Sequence, residues 1–396
     1  MGLELLIQGF KPITKPIKLE ITDLTVITGD RGVGKSSVLE ALQLLHLAKM
    51  RYPDVERSIE DFTPLSGKEK LNLEENEHLH LINTFTKYLS VCVIDRGEGR
   101  YFGIYMDRDR YLRPQLINSR NFRSEFKKIL KDVKYDESEI EYILREGTLD
   151  KDVMPYTLIL SALRSKVSSM STHLEFNDIK DGKLDIHGSY IADLLTALIT
   201  RVLDTEKDIW EEILKAFEEY YGTFKVSYVT FSGLRYDSKR NTPVFMESVF
   251  DRNAPIPYAM LSTGTRNIVS MVMTLAIAKV LLSRGYAERL IIGIEEPEIT
   301  LSYTSVERLA KCMVNLIKGF ITDEGGSRVK IVVTSHLTNG VIGKIFKVPA
   351  ERYGIGFKVY RLERERDGSI GVNDVTKEIR PFIEGIIGKH SLNSAL

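Results

Sequence analysis

Near its N-terminus the chain contains the run Gly29-Asp30-Arg31-Gly32-Val33-Gly34-Lys35-Ser36. It matches the pattern G-x-x-x-x-G-K-[S/T], in which glycines let backbone N–H groups turn toward an anion. Residues 24–28 form a short β-branched apolar run, which predicts a buried strand, and residues 37–45 carry apolar residues at helical spacing. Strand, loop and helix in this order predict a phosphate-binding loop whose helix N-terminus favours the anion.

The positions of this loop receive specific expected roles. Lys35 would reach the β- and γ-phosphates of a bound nucleotide and serve catalysis, and the Ser36 hydroxyl would bind Mg²⁺. The residues expected to bind the nucleotide here are Gly29, Asp30, Arg31, Gly32, Val33, Gly34, Lys35, Ser36 and Ser37.

The composition of the whole chain narrows the class of protein. Its 396 residues, 43% hydrophobic and 28% charged, suggest two or three folded domains. Because the formal net charge is zero, any nucleic-acid surface must be a local patch. Cys92 and Cys312 lie in apolar runs, which favours buried thiols over a disulfide or a metal site. The N-terminus lacks signal-peptide features and no segment approaches about 18 uninterrupted apolar residues, so we expect a cytoplasmic protein without a membrane span.

Regular structure is predicted on both sides of the loop. Apolar patterns predict strands at 3–9 and 17–21 and a hairpin of strands at 88–94 and 100–106. From about 108 to 220 the pattern turns helical and charged. Further along, the patterns predict strands at 223–231 and 243–250, a proline-rich loop, a long helix through Leu282, a strand at 289–294, a helix at 306–320 and strands at 330–333, 357–363 and 370–375, with a final helix at 376–388.

Two charged features of the middle region have more than one interpretation. Asp107-Arg108-Asp109 has the spacing of some metal-dependent nuclease sites, but without a matching upstream acidic strand a solvated hairpin end is favoured. The second feature is a basic stretch, for which a nucleic-acid-facing patch and a solvated helix face are both compatible. It comprises Arg108, Arg110, Arg113, Arg120, Arg123, Lys127, Lys128, Lys131 and Lys134.

Glu295 and Glu296 end an apolar strand. Parallel strands of an α/β sheet place such carboxylates at the edge where ligands bind. The first acid can hold Mg²⁺ through water, and the second can orient or deprotonate an attacking water molecule. Burial of two unpartnered charges would be costly, so a role in core packing is disfavoured.

The segment Leu261-Ser262-Thr263-Gly264-Thr265-Arg266 opens the long helix that leads to this acidic strand. By itself, serine and glycine at a helix start are an ordinary cap. In this position the sequence resembles the ABC-type ATPases, particularly the SMC/Rad50/RecF/OLD branch. The Walker A, signature, Walker B and switch-histidine motifs of that family follow in order as Gly29–Ser36, Leu261–Arg266, Ile291–Glu296 and His336.

The resemblance implies an α/β P-loop ATPase head with a mixed sheet and an N-terminal antiparallel part. It covers an ATPase lobe at 1–106 and a second lobe at 223–396, separated by a helical insertion at 107–222 to which it does not extend. Two protomers would dock head to tail as a homodimer around ATP and Mg²⁺, so that Ser262 and Gly264 of one protomer meet the γ-phosphate bound by the other.

The resemblance also implies roles for single residues in the hydrolysis of ATP. Glu296 and His336 would be catalytic, and Glu295 would bind the metal. Gln115 follows the hairpin about where the family places its metal-binding glutamine. The sequence departs from the family at Asp30-Arg31, in having Glu295 instead of aspartate, and in lacking the D-loop aspartate of transporters, although Pro297-Glu298 resembles the OLD-like branch.

Several functions are compatible with these motifs. The first is a dimerising ATPase switch in DNA repair or mobile-element defence, for which DNA is a possible partner. The chain leaves no room after His336 for the nuclease domain of OLD proteins, so we expect a separate effector protein. A transporter subunit is disfavoured because the signature continues Gly-Thr-Arg instead of Gly-Gly-Gln. A GTPase or kinase is disfavoured because the chain has no Asn-Lys-x-Asp motif. Glu296 argues against a nucleotide-gated scaffold with little hydrolysis.

Overall fold

The computed structural model describes residues 2–51, 88–97, 99–107, 115–117, 123–161, 207–224, 229–237, 242–249, 252–257, 262–323 and 326–379. The chain forms two compact units. Unit 1 comprises 1–157 and 358–376, and unit 2 comprises 158–357 and 377–396. The division at 106 and 222 was drawn from motifs and remains a prediction; the described parts of 107–222 belong to both units.

Unit 1 contains an antiparallel sheet that begins at the N-terminus. Strand β1 (Leu3–Gln8) pairs with β2 (Ile17–Ile21) on one side and with β4 (Tyr88–Asp95) on the other. Strands β4 and β5 (Arg100–Asp107) form the predicted hairpin. Two short strands, β6 (Gln115–Leu116) and β7 (Thr148–Leu149), extend the sheet along β5.

The predicted strand, loop and helix around Gly29–Ser36 are confirmed. Strand β3 (Leu24–Gly29) is buried along most of its length and leads through the loop into α1 (Lys35–Arg51). Within unit 1, β3 lies beside β14 (Phe357–Arg364), which pairs antiparallel with β15 (Ile370–Asp374).

A helical hairpin of α2 (Arg123–Asp132) and α3 (Glu137–Arg145) packs on the antiparallel sheet of unit 1. Asp136 and Glu139 start α3 with a reciprocal capping box. Lys127 of α2 forms ion pairs with Glu137 (3.0 Å) and Glu141 (2.8 Å) of α3. This part of the basic stretch is therefore neutralised, which favours a solvated helix face. Arg108, Arg110, Arg113 and Arg120 lie outside the described residues.

Unit 2 is built around parallel strands and long helices. Strand β12 (Leu290–Glu295) pairs in parallel with β13 (Val329–Ser335), and the strand order in this unit is β13, β12, β8 (Tyr156–Ser161). The helices are α4 (Lys207–Tyr221), α5 (Thr263–Ser283) and α6 (Tyr303–Lys318), and β13 is followed by α7 (Asn339–Ile342), a π-helical turn (Gly343–Lys347) and α8 (Val348–Arg352).

Helix α5 is the core helix of unit 2. Fourteen of its residues are buried, from Asn267 to Leu282. Among the described residues it is the one helix with the length and apolar composition of a membrane span. The burial of most of these residues inside the unit explains that composition without a membrane.

The proline-rich segment was predicted to be a loop, and this prediction was wrong. It forms β11 (Arg252–Pro257), the edge of a three-stranded antiparallel sheet with β10 (Thr242–Val249) and β9 (Val229–Asp237). Proline cannot donate a ladder hydrogen bond, but an edge strand has one side on which no donor is needed. Strands β6, β7 and β8 likewise lie in a region whose pattern predicted helices.

Both cysteines are free and buried, as predicted. Cys92 lies in β4 and Cys312 in α6. Burial raises the pKa of both thiols, which disfavours the reactive thiolate.

Candidate functional site

The phosphate loop of unit 1 has a backbone conformation that requires glycine. Gly29, Gly32 and Gly34 have φ angles of 140°, 77° and 95°. A Cβ atom at Gly29 would lie 2.3 Å from the carbonyl oxygen of Leu362 on β14, whereas a Cβ at Gly32 would meet nothing within 4 Å. Glycine thus permits close backbone packing on one side of the loop, while the space beside Gly32 is open for a ligand.

Lys35 lies at the predicted position at the start of α1. Its side chain is buried, and its ammonium group donates hydrogen bonds to the carbonyl oxygens of Gly29 (3.0 Å) and Asp30 (2.9 Å). A buried cation needs such acceptors, and anionic phosphate oxygens would be stronger ones. Ser36 and Ser37 follow in the first turn of the helix. These residues therefore fit the phosphate groups of a nucleotide.

Sequence reasoning missed one residue at the loop, Arg364. Its guanidinium group donates to the carbonyl oxygens of Gly368 (3.2 Å) and Gly32 (3.5 Å). Arg364 and Gly32 are 332 positions apart, and no local pattern signals their contact. Arg364 brings a second positive charge to the loop.

The acidic strand end lies in unit 2, and both of its carboxylates are largely buried. Glu295 is the last residue of β12, and Glu296 follows it with φ 42° and ψ 57°, the left-handed conformation. This conformation costs about 1–3 kcal/mol for a residue other than glycine and recurs at functional sites. The backbone N–H of Glu296 donates to the carbonyl oxygen of Thr334 (3.0 Å) and lies 3.2 Å from its Oγ1.

His336 contacts this acidic end directly. Its Nε2 lies 2.8 Å from Oε1 of Glu296. The backbone N–H of His336 and the hydroxyl of Ser335 (2.9 Å) donate to Oε1 of Glu298. The structure therefore brings Glu296 and His336 together, in an arrangement where a carboxylate can accept a proton and an imidazole can contact an anion.

The signature segment lies at the N-terminus of α5, also in unit 2. Ser262 caps the helix and accepts a hydrogen bond from the N–H of Thr265 (3.2 Å). A Cβ atom at Gly264 would lie 2.9 Å from the carbonyl oxygen of Thr300, and Asn267 donates to the hydroxyl of Thr300 (2.6 Å). The helix start therefore packs against the segment that follows the acidic strand, which explains the glycine.

The predicted metal ligands have different structural support. Ser36 and Glu295 are described in units 1 and 2, respectively, while the side chain of Gln115 lies outside the described ones. Within the described ranges no group of three or more His, Cys, Asp or Glu side chains could hold a metal ion. The carboxylate of Glu295 is of the ligand type that Mg²⁺ uses together with substrate phosphates. Arg108 and Asp109 of the D-x-D sequence also lie outside the described residues.

Comparison with known proteins identifies the family. Residues 3–339 match the family described as AAA ATPase domain. The chain belongs to this AAA ATPase family. The matched range contains the phosphate loop, the start of α5, the acidic strand and His336. This AAA ATPase therefore binds and hydrolyses ATP, and its fold is that of a P-loop ATPase. No curated protein matches the chain.

Solved structures of SMC heads are similar to this AAA ATPase over nearly their whole length. An SMC head bound to the C-terminal winged-helix domain of ScpA is 16% identical, with a TM-score of 0.49, covering 95% of this chain and 98% of its own. The SMC head domain from Thermotoga maritima is 13% identical, with a TM-score of 0.41 and coverages of 95% and 99%. An SMC head with an extended coiled coil, bound to the C-terminal domain of ScpA derived from Pyrococcus furiosus, is 15% identical, with a TM-score of 0.48 and coverages of 95% and 96%.

Proposed function

We propose that this AAA ATPase is a molecular switch that dimerises on binding ATP, separates after hydrolysis, and acts in DNA repair or in defence against mobile elements. The observation that carries the hydrolytic part is the contact between Glu296 and His336, 2.8 Å apart at the end of the acidic strand. A carboxylate fixed in this way can act on water, and the neighbouring imidazole can sense the terminal phosphate.

Each residue of the site would then perform one step. Lys35 and the loop N–H groups bind the phosphates. Glu296 orients the attacking water and accepts its proton, while His336 contacts the γ-phosphate. Ser36 and Glu295 would hold Mg²⁺, which neutralises phosphate charge when it is bound; Gln115 is the third proposed ligand.

A second copy of the chain would complete the site. Ser262 is exposed at the N-terminus of a 21-residue helix, where the helix dipole favours an anion. Ser262 and Gly264 would meet the γ-phosphate bound by the partner. Ile299 and Tyr303 are large exposed side chains in the same unit, and contact with a second copy would cover them. These features support an ATP-dependent homodimer.

The partners of the switch would be DNA and a separate effector protein in the cytoplasm. The solved SMC heads bound to ScpA domains illustrate a head of this kind with a protein partner. The free buried thiols Cys92 and Cys312 are compatible with a reducing compartment.

The mechanism is tested by Glu296→Gln, which keeps the shape of the side chain and removes the base. We expect the rate of ATP hydrolysis to fall by about 10²- to 10⁴-fold, the range of general-base catalysis. Size-exclusion chromatography with light scattering should show a stable dimer with ATP. The matched control is Glu351→Gln, an exposed glutamate of unit 2. A Glu296→Gln variant that stays monomeric with ATP and hydrolyses it normally would refute the mechanism.

The biological role is tested with DNA. The rate of ATP hydrolysis is measured alone and with single- or double-stranded DNA, and the protein is purified from its source under mild conditions. Stimulation by DNA and a stoichiometric co-purifying protein are the expected results. Unchanged rates and a chain that purifies without any partner would exclude the DNA-acting switch and revive the alternatives of a transporter subunit or a scaffold.

A further inference from the structure

Glu298 is a half-buried acidic residue that contacts His336, and the ATPase mechanism gives it no role. Its Oε1 atom accepts hydrogen bonds from the Ser335 hydroxyl (2.9 Å) and from the backbone N–H of His336. Ser335 is the last residue of β13, and His336 follows it directly. One acceptor oxygen of Glu298 therefore binds two donors on consecutive residues.

The local backbone brings Glu298 to this position. Glu296 is left-handed, and Pro297 begins a 3₁₀ turn, Pro297–Ile299, closed by a hydrogen bond from Ile299 N–H to the Glu296 carbonyl oxygen (3.1 Å). The chain therefore reverses just after β12, and Glu298 returns toward β13. An extended continuation of β12 would carry this side chain away from His336.

Contacts with two glutamates therefore fix both the side chain and the backbone of His336. Its Nε2 lies 2.8 Å from Glu296, and its backbone N–H is bound by Glu298. We propose that Glu298 is a positioning residue that fixes the His336 backbone so that the imidazole meets Glu296 and the γ-phosphate in one geometry. This inference rests on the proposed catalytic roles of Glu296 and His336.

The surroundings of the second carboxylate oxygen indicate which property of Glu298 matters for binding Ser335 and His336. Oε2 is buried and has no hydrogen-bond partner within the described part of the chain. Both bonds, from Ser335 and from His336, therefore use Oε1, and glutamine can supply the same acceptor with the same length of side chain. Aspartate keeps the charge but is one methylene shorter. The position thus requires reach and an acceptor oxygen more than a negative charge.

These features predict a graded series of variants. With Glu298→Gln we expect kcat within about 5-fold of the wild type. With Glu298→Ala and Glu298→Asp we expect kcat to fall by about 10- to 100-fold with KM for ATP nearly unchanged, since a shift of about 1 Å in a catalytic group costs up to 10²-fold. Glu351→Ala is the matched control, because that glutamate is exposed and belongs to the same unit.

A double-mutant cycle distinguishes positioning from a general structural role. The kcat of Glu298→Ala is measured alone and combined with His336→Ala. If Glu298 acts through His336, the second substitution adds no loss in the double variant. Glu298→Asp is carried through the same cycle, so that poor folding of the alanine variant leaves the test intact.

The two proposals fail in different ways. A His336→Ala variant with normal kcat would overturn the proposed role of His336. If His336→Ala lowers kcat but substitution of Glu298 leaves kcat unchanged, the positioning role of Glu298 is refuted and the role of His336 stands. The same conclusion follows if Glu298→Ala lowers kcat by the same factor in the His336→Ala background as in the wild type. Equal loss in Glu298→Gln and Glu298→Ala would also refute it.

Discussion

The burial of His46 predicts a loss of stability at acid pH. His46 lies on α1 and is 3% exposed, and its ring meets Tyr156 edge to face with centroids 4.7 Å apart. Neither ring nitrogen has a hydrogen-bond partner within the described ranges. Burial, with a smaller effect of the Lys49 charge, lowers the pKa of His46 from 6.5 to about 3.

The sign of the effect follows from proton binding. Between pH 6.5 and about 3 the unfolded chain binds a proton at His46 that the folded protein does not bind. The contribution of neutral His46 to the free energy of unfolding is therefore complete above pH 6.5 and is lost as the pH falls below that value. The slope is about 1.4 kcal/mol per pH unit, so the free energy of unfolding should fall by about 2 kcal/mol between pH 7.5 and pH 5.

His46→Leu removes both the titration and an unsatisfied buried polar group. Since such a group costs about 1–3 kcal/mol, the variant should be at least as stable as the wild type at pH 7.5. His46→Gln is the matched control, because it keeps a polar side chain and cannot titrate in this range. Neither variant should show the fall in the free energy of unfolding at acid pH that is due to His46. Only His46→Leu should have a higher free energy of unfolding than the wild type at neutral pH.

The measurement is urea unfolding at pH 7.5 and pH 5.0, followed by circular dichroism. Between the two pH values, the free energy of unfolding of the wild type should fall by about 2 kcal/mol more than that of either variant. Equal losses in all three proteins would refute the assignment of this acid sensitivity to His46.

Three further predictions concern the phosphate loop. Gly29→Ala should leave little folded protein, because its Cβ would overlap a backbone oxygen; Gly285→Ala, which has positive φ but open space, should cost only about 1–2 kcal/mol by thermal or urea unfolding. Lys35→Ala should weaken binding of a fluorescent ATP analogue by more than about 10-fold while the circular dichroism spectrum is retained, and an unchanged Kd would contradict its placement at the phosphates. Arg364→Ala should raise KM for ATP by about 3- to 10-fold with kcat retained, as expected for a partly screened charge beside Gly32, and steady-state kinetics that show no change in KM would exclude this role.

The sequence predicted the local parts of the site well because their signals are local. The phosphate loop is one contiguous run whose glycines, lysine and following helix each have a conformational reason. The apolar run before Glu295 and the cap at Ser262 are also readable over a few residues. The expectation that prolines mark a loop was wrong at β11. Whether a segment can be an edge strand depends on partners that are distant in sequence.

The chemical groups that the protein carries can be identified from its sequence: a phosphate loop, two adjacent acids, a helix cap and a histidine after a strand, in an order typical of an ATPase. Which of these groups are in contact depends on the folded chain. The register of β12 against β13 sets Glu295 opposite Thr334, and the left-handed turn at Glu296 returns Glu298 to His336. The guanidinium group of Arg364 contacts the carbonyl oxygen of Gly32, and the side chain of His46 is buried. Periodicity encodes short-range conformation, whereas strand register and burial come from packing between segments far apart in the chain.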